Sequence, residues 1–171
     1  MSLDISALHK DFTSAPWVMS ILTAATTEIV SFAFVGRPRS RDGHEDSLTA
    51  VTFNTDDTFR AYLPVATPSE TCTFISVGDG LNGHEGILHG GAVSAILDIG
   101  LGAPVNTIAF TAFLNVTFKK PLPTPRVVVC RARITKSEVR KKWVAGTLED
   151  GEGTVYATGE CLYVEAKPAK L

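Results

Sequence analysis

The chain has few of the features that mark disulfide-bonded, membrane-spanning or nucleic-acid-binding proteins. Its 171 residues include only three cysteines, an odd number in widely spaced, strand-like contexts. Cys72, Cys130 and Cys161 therefore predict small reduced core residues rather than a disulfide framework or a zinc knuckle. The longest apolar tract, around residues 17–25, is too short and too polar to cross a bilayer. The formal net charge of −2 provides no basic footprint for nucleic acid.

The N-terminus also lacks the signals of a targeting segment. It has no basic region at its start, and Asp4 and Asp11 are unlike the acid-poor composition of transit peptides. We therefore expect a cytoplasmic protein, and we leave a mitochondrial location open. The length is that of one domain that can bury a substantial core.

Motifs of three other enzyme classes are incomplete. Residues 78–83 spell the glycine pattern of dinucleotide-binding folds, but no helix is predicted to begin there and no βαβ unit follows. His84 and His89 are one residue too far apart for the zinc-protease motif. Ser94 lies outside any Gly-x-Ser-x-Gly elbow, which makes it a poor nucleophile. We therefore expect no bound metal and no redox cofactor.

The most informative segment is a glycine-rich loop that runs into a helix with one carboxylate. Six glycines lie between Gly78 and Gly91, so this backbone must turn sharply or approach another group closely. From Gly91 the apolar residues recur with helical spacing until Pro104 stops the run. Asp98 lies among small residues on another face of this helix. An ionisable group in such surroundings is typical of an active site.

The spacing of Gly91 and Asp98 indicates a site shared by two chains. They are seven residues apart, so they share a helix face but are separated by roughly 10 Å. The free N–H groups at the helix start can hold a carbonyl oxygen that becomes negative. Asp98 must come within about 3 Å of the same reacting atom to act as base or nucleophile. Two antiparallel copies of the helix would satisfy both demands, provided that the loop and the acid act together.

The rest of the chain is dominated by strand-like segments. A helix with a break at Pro16 is predicted over residues 4–22. The predicted extended segments are residues 28–35, 48–53, 59–65, 71–77, 109–119, 126–135, 141–148 and 155–164. One central helix followed by long antiparallel strands predicts an α+β fold with a curved sheet wrapped around that helix.

The sequence resembles the hotdog-fold acyl-thioester hydrolases of the PaaI type, and within them the thioesterase superfamily member subgroup. The resemblance is carried by residues 86–91 (GILHGG), by Asp98 nine residues after His89, and by residues 111–121, which end in Lys-Lys-Pro. It covers roughly residues 71–164. It implies a hotdog fold, with residues 66–166 as the core, residues 1–65 as an N-terminal helix and first strands of the same domain, and residues 167–171 as a tail.

The resemblance also implies catalytic roles. A backbone N–H of the turn formed by His89, Gly90 and Gly91, and first that of Gly91, would polarise the thioester carbonyl. Asp98 matches the family's acid, which activates a water as general base or attacks directly. Thr111 matches a hydroxyl position that helps to hold the water or the acid. His89 matches a histidine that shapes the turn or transfers protons.

A second set of residues is implied in substrate binding. Lys119 and Lys120 correspond to the region where the phosphates of coenzyme A often lie. Many relatives have a polar side chain six residues before the histidine, where this chain has Gly83. Asn82 or His84 could replace that side chain and help to position the water.

The resemblance therefore predicts a cofactor-independent hydrolase that converts an acyl-CoA to a free acid and a thiol. We expect a homodimer, with pairing of two dimers left open, and no nucleic-acid or membrane partner. Three alternatives remain: a thioesterase for carrier-protein-bound acyl or polyketide chains, a hotdog hydratase or dehydratase, and a non-catalytic acyl binder. His89 and Asp98 lie about 180° apart around the helix, so a hydratase would need to pair them across the dimer.

Overall fold

The computed structural model describes residues 8–24, 27–29 and 48–167. The helices are α1 (Lys10–Thr13), α2 (Pro16–Leu22) and α3 (Gly90–Gly102). The strands are β1 (Glu28–Ile29), β2 (Phe59–Ala66), β3 (Thr71–Val77), β4 (Asn82–His84), β5 (Ile87–Leu88), β6 (Ala109–Phe118), β7 (Arg126–Glu138), β8 (Lys141–Glu149) and β9 (Val155–Glu165). A π-helical turn covers Leu48–Thr52, and a 3₁₀ turn, Ala103–Val105, follows α3.

Seven of these strands form one antiparallel sheet, in the order β1-β2-β3-β7-β8-β9-β6. The short β4–β5 hairpin stands apart from this sheet and leads into α3. Strand β6 forms one edge of the described sheet, although it directly follows the central helix in sequence. The predicted α+β architecture is confirmed.

The inner face of the sheet packs on α3. Ile96, Leu97 and Leu101 are completely buried on this helix and form one cluster with inward-facing residues of β3 and β7–β9. Gly146 on β8 and Gly159 on β9 lie under the helix, where an added Cβ would be 2.9 Å and 2.8 Å from the Leu101 side chain. The two glycines therefore let the helix approach the sheet closely.

The outer face of the sheet has its own apolar cluster, which holds the N-terminal helices. Phe12 of α1 and Val18 of α2 pack there with Phe74 of β3 and Val129 of β7. The rings of Phe12 and Phe74 meet edge to face at 6.2 Å, a favourable aromatic geometry. The described part of the N-terminal segment is thus anchored to the sheet on the side opposite α3.

The early part of the chain departs from the sequence prediction in one place. Residues 48–53 were expected to be extended, and this is wrong, because Leu48–Thr52 form a π-helical turn. The Phe53 N–H closes the turn on the Leu48 carbonyl at 2.8 Å, and the Phe53 ring packs on Phe59 at 5.0 Å. This tertiary contact overrides a local strand preference. The predicted strand over residues 28–35 is observed at β1, and its remainder lies outside the described residues.

Candidate active site

The helix that carries the candidate acid begins at His89. The His89 Nδ1 accepts a hydrogen bond of 2.9 Å from the Gly91 N–H, so the imidazole caps the first turn of α3. The His89 N–H donates to the Leu81 carbonyl at 2.9 Å, and the His89 carbonyl accepts from the Val93 N–H at 3.1 Å. Backbone and side chain of His89 therefore both serve to begin the helix.

This cap changes which amide is available at the helix start. The Gly91 N–H, the first candidate for holding an oxyanion, points to the imidazole of His89. The Gly90 N–H has no hydrogen-bond acceptor among the residues that the structure describes. The ring of Phe118 lies alongside, 3.6 Å from where a Cβ of Gly90 would be. Gly90 is therefore the better-placed donor, at the positive end of the helix dipole.

Asp98 lies two turns further along α3 and is held at two points. The Thr111 hydroxyl on β6 donates to the Asp98 Oδ1 at 2.8 Å. The Tyr163 hydroxyl on β9 donates to the Asp98 backbone carbonyl at 2.6 Å. Burial raises the pKa of Tyr163 far above its usual value, so the hydroxyl keeps its proton. Nothing in the sequence signals the contact of Tyr163, which is 65 residues from Asp98.

A β-bulge directs Thr111 toward the helix. Thr111 is paired with Tyr163 across β6 and β9, and Phe113 is paired with Leu162. Ala112 is therefore the extra residue on β6, and extra residues of this kind re-aim neighbouring side chains. The structure thus joins two of the predicted site residues, Thr111 and Asp98, by a direct hydrogen bond, and their catalytic roles stay a prediction.

The remaining predicted site residues are more scattered. The Asn82 Oδ1 accepts from the Thr124 hydroxyl at 2.6 Å, and His84 is exposed at the β4–β5 hairpin. Gly83 packs against the cap, because a Cβ there would lie 2.9 Å from the His89 Cδ2. Lys119 and Lys120 follow β6 and are both exposed. The structure thus groups Thr111 with Asp98 and Gly83 with His89. Asn82 contacts Thr124 instead of another predicted site residue.

Several other chemistries lack the groups they need within the described residues. No three side chains of His, Cys, Asp or Glu are grouped as metal ligands there. Burial raises the pKa of Cys72 to about 11 and that of Cys130 to about 12, so these thiols are protonated and poor nucleophiles.

No helix of the described residues has the length and apolar character of a membrane span.

Solved structures share this architecture. Mouse thioesterase superfamily member 2 superposes with a TM-score of 0.53 at 22% identity, over 59% of this chain and 84% of that one. A phenylacetic acid degradation-related protein from Ralstonia eutropha, described as a putative thioesterase, has a TM-score of 0.56 at 20% identity, over 60% and 83%. A Bacillus halodurans protein solved with CoA has a TM-score of 0.53 at 22% identity, over 58% and 69%. The chain therefore has the predicted hotdog fold, with a carboxylate on its central helix.

Comparison of the amino-acid sequence finds similarity to one protein family and to several curated proteins. The family model of the thioesterase superfamily matches residues 85–157, which confirms the resemblance inferred from the motif. Acyl-coenzyme A thioesterase THEM4 of Mus musculus is 37% identical over 103 residues, 58% of this chain and 45% of that protein. A Candida albicans protein described as uncharacterized and mitochondrial is 33% identical over 109 residues, which are 57% of this chain and 49% of that protein. The chain spans about half the length, 40–49%, of the curated relatives it matches.

Proposed function

We propose that this protein is a thioesterase that hydrolyses an acyl-CoA to the free acid and coenzyme A. The observation that carries the proposal is the Asp98 carboxylate, held by Thr111 on a helix whose first amide, that of Gly90, has no acceptor among the described residues. The matched relatives named acyl-coenzyme A thioesterase and the structural neighbour solved with CoA support the substrate class.

The contacts of the site assign a role to each group. The Gly90 N–H donates to the thioester carbonyl oxygen and stabilises the negative charge that develops there. The Thr111 hydroxyl occupies the Asp98 Oδ1, which leaves Oδ2 to accept a proton from the attacking water. The water oxygen bonds to the carbonyl carbon, the C–S bond breaks, and the thiolate takes the proton back from Asp98. Direct attack by Asp98, with a mixed anhydride that water then hydrolyses, uses the same groups.

The site needs a second copy of the chain. Gly90 and Asp98 are eight residues apart on α3, or roughly 12 Å along its axis, so they cannot reach the same carbonyl group. Within the described sheet, strand β6 is an open edge, with Phe110 67%, Phe113 40% and Phe118 57% exposed. An exposed apolar edge of this kind is suited to pairing with another strand. We therefore place β6 of one copy against β6 of the other, antiparallel.

The faces of β6 limit this pairing to registers in which inward-facing residues lie opposite each other, and the need to bring Asp98 to Gly90 selects one of them. Leu114, Val116 and Phe118 face α3 or the core beneath it, as does Thr111 beyond the bulge. Residues directly opposite in an antiparallel pair share a face. Centring the pair on Asn115 sets Leu114 opposite Val116 of the second copy. Because Ala112 is the extra residue of the bulge, Thr111 then lies opposite Phe118 of the second copy. Thr111 contacts Asp98 and Phe118 lies beside Gly90, so this pairing brings Asp98 of one chain toward Gly90 of the other.

Cysteine cross-linking tests this register. Asn115→Cys should form a disulfide between two copies on mild oxidation, because the residue at the centre faces itself within about 4.5–5.5 Å between Cα atoms. Thr117→Cys is the matched control, since it is exposed on the same face of the same strand but is off-centre. Cross-linking of the Thr117 variant in preference to the Asn115 variant would contradict the register, and a monomer by sedimentation would contradict the composite site.

Thiol release tests the activity itself. The panel contains short, long and aromatic acyl-CoAs, with Asp98→Asn and Glu160→Gln as variants. Glu160 is exposed and pairs with Asn115 on the outer face of the sheet, so its change should leave turnover intact. Loss of a general base should lower kcat by about 10²–10⁴-fold in Asp98→Asn, with the dimer retained. The proposal would be contradicted if no acyl-CoA released its thiol, or if Asp98→Asn kept full activity. Thiol release from acyl-carrier proteins alone would indicate a carrier-protein thioesterase instead.

A further inference from the structure

Tyr163 has a buried contact with the candidate acid that lies outside the recognised motif. It is only 5% exposed on β9, and its hydroxyl donates to the Asp98 carbonyl at 2.6 Å. Gly102, four residues after Asp98 on α3, lies beside the ring, and an added Cβ there would be in ordinary contact, 3.5 Å from the Tyr163 hydroxyl oxygen. The Tyr163 ring thus packs beside the last turn of α3, and its hydroxyl reaches the helix backbone at Asp98.

Tyr163 and Thr111 are partners in the sheet, and both contact the same residue of the helix. They face each other across β6 and β9, next to the bulge at Ala112. Thr111 binds the Asp98 carboxylate, whereas Tyr163 binds the Asp98 backbone carbonyl. The two bonds anchor the side chain and the main chain of Asp98 to one point of the sheet. Rotation of α3 about its axis or a change of the Asp98 rotamer would break at least one of them.

We propose that Tyr163 is a positioning residue that, together with Thr111, clamps Asp98 in the orientation needed to activate water. This inference rests on the proposed thioesterase function and deepens it. In this role Tyr163 acts through Asp98 rather than by contact with the substrate. Its loss should lower kcat and leave KM nearly unchanged, because the proposed contacts with the CoA moiety, Lys119 and Lys120, are on another part of the chain.

The chain offers a matched pair of tyrosines for the test. Tyr163 and Tyr156 are both on β9 and are 5% and 4% exposed, and each hydroxyl is hydrogen-bonded. The Tyr156 hydroxyl contacts Arg126 at 2.9 Å and Asp150 rather than α3. Tyr163→Phe should therefore lower kcat about tenfold with KM within twofold of wild type, since small misplacements of reacting groups have effects of this order or larger. Tyr156→Phe should leave both constants unchanged.

A double variant separates positioning from a general loss of stability. If Tyr163 and Thr111 act on the same carboxylate, Tyr163→Phe combined with Thr111→Val should lose less activity than the product of the two single losses. Thr111→Ser, which keeps the hydroxyl, should retain most activity. Wild-type kcat in Tyr163→Phe would overturn the clamp. So would an equal fall of kcat in Tyr156→Phe, or fully multiplicative losses in the double variant.

Hydrogen exchange keeps the clamp testable even without turnover. A wild-type protein that hydrolyses no thioester would refute the proposed function. The clamp would then be judged by amide exchange along α3, which should be faster near Asp98 in Tyr163→Phe than in Tyr156→Phe, because only the former removes the bond that anchors the helix backbone to the sheet. Equal exchange in the two variants would overturn the clamp, whichever reaction the site performs.

Discussion

Two glycines near the end of α3 should respond in opposite ways to the same substitution by alanine. A Cβ at Gly100 would lie 2.5 Å from both Cβ and Sγ of Cys130 on β7, closer than nonbonded atoms can approach. A Cβ at Gly102 would have its nearest neighbour at 3.5 Å, the Tyr163 hydroxyl oxygen, which is ordinary contact. Both glycines lie within the helix, so the difference between them is one of packing.

The size of the effect follows from two opposing contributions. Alanine is favoured over glycine by about 1 kcal/mol within a helix, and by less at its last residue. Overpacking of a rigid core destabilises by about 1–3 kcal/mol, and Cys130 is completely buried, with its Cβ fixed to the strand backbone. Gly100→Ala should therefore lower the free energy of unfolding by up to about 2 kcal/mol, and Gly102→Ala should raise it by about 0.5 kcal/mol.

Urea unfolding followed by circular dichroism measures the difference. Both variants should unfold with the m-value of the wild type, compared at one protein concentration because the stability of the proposed dimer would depend on concentration. In thermal unfolding, 1 kcal/mol corresponds to about 2–4 °C for a chain of this size. The close approach of α3 to β7 would be refuted if Gly100→Ala were as stable as Gly102→Ala.

Three further predictions concern the polar contacts. Burial raises the pKa of Asp150, but hydrogen bonds from two backbone N–H groups, at 2.9 and 3.0 Å, lower it by more, so it lies below the usual value. Asp150→Asn should therefore lose about 1–3 kcal/mol of stability at pH 7, a deficit that shrinks as the pH falls below about 4; a deficit that grows in acid would contradict this. Arg131 contacts Glu70 and Glu149 at 2.6 Å each, so Arg131→Met should lower the melting temperature by leaving two unpaired carboxylates, and an unchanged melt would count against that network. His89→Ala should lose about 1 kcal/mol of helix capping but keep the pH profile of kcat/KM, whereas loss of one limb of the profile would indicate proton transfer by His89.

Local sequence patterns predicted most of the fold and the position of the candidate site. Runs of strand-forming residues between turn signals located β2, β3, β6, β8 and β9. Helical spacing after the His-Gly-Gly turn located α3, and alternating apolar residues located β7, because these periodicities reflect which side chains of one element face the core. The same reasoning placed Asp98 on a face of small residues. The short β4–β5 hairpin and the π-helical turn at Leu48–Thr52 were missed, since their few hydrogen bonds produce no periodicity.

Local pattern alone places a glycine-rich helix start and a carboxylate on one helix, because both lie within 13 residues of chain. The groups that surround them depend on how the helix and the sheet pack together. The choice between Gly90 and Gly91 as donor depends on the orientation of one imidazole. The Tyr163 contact depends on the register of β6 against β9 and on a bulge at Ala112. Contacts between residues far apart in sequence arise from packing and strand register, and these are properties of the assembled sheet and helix rather than of any one segment.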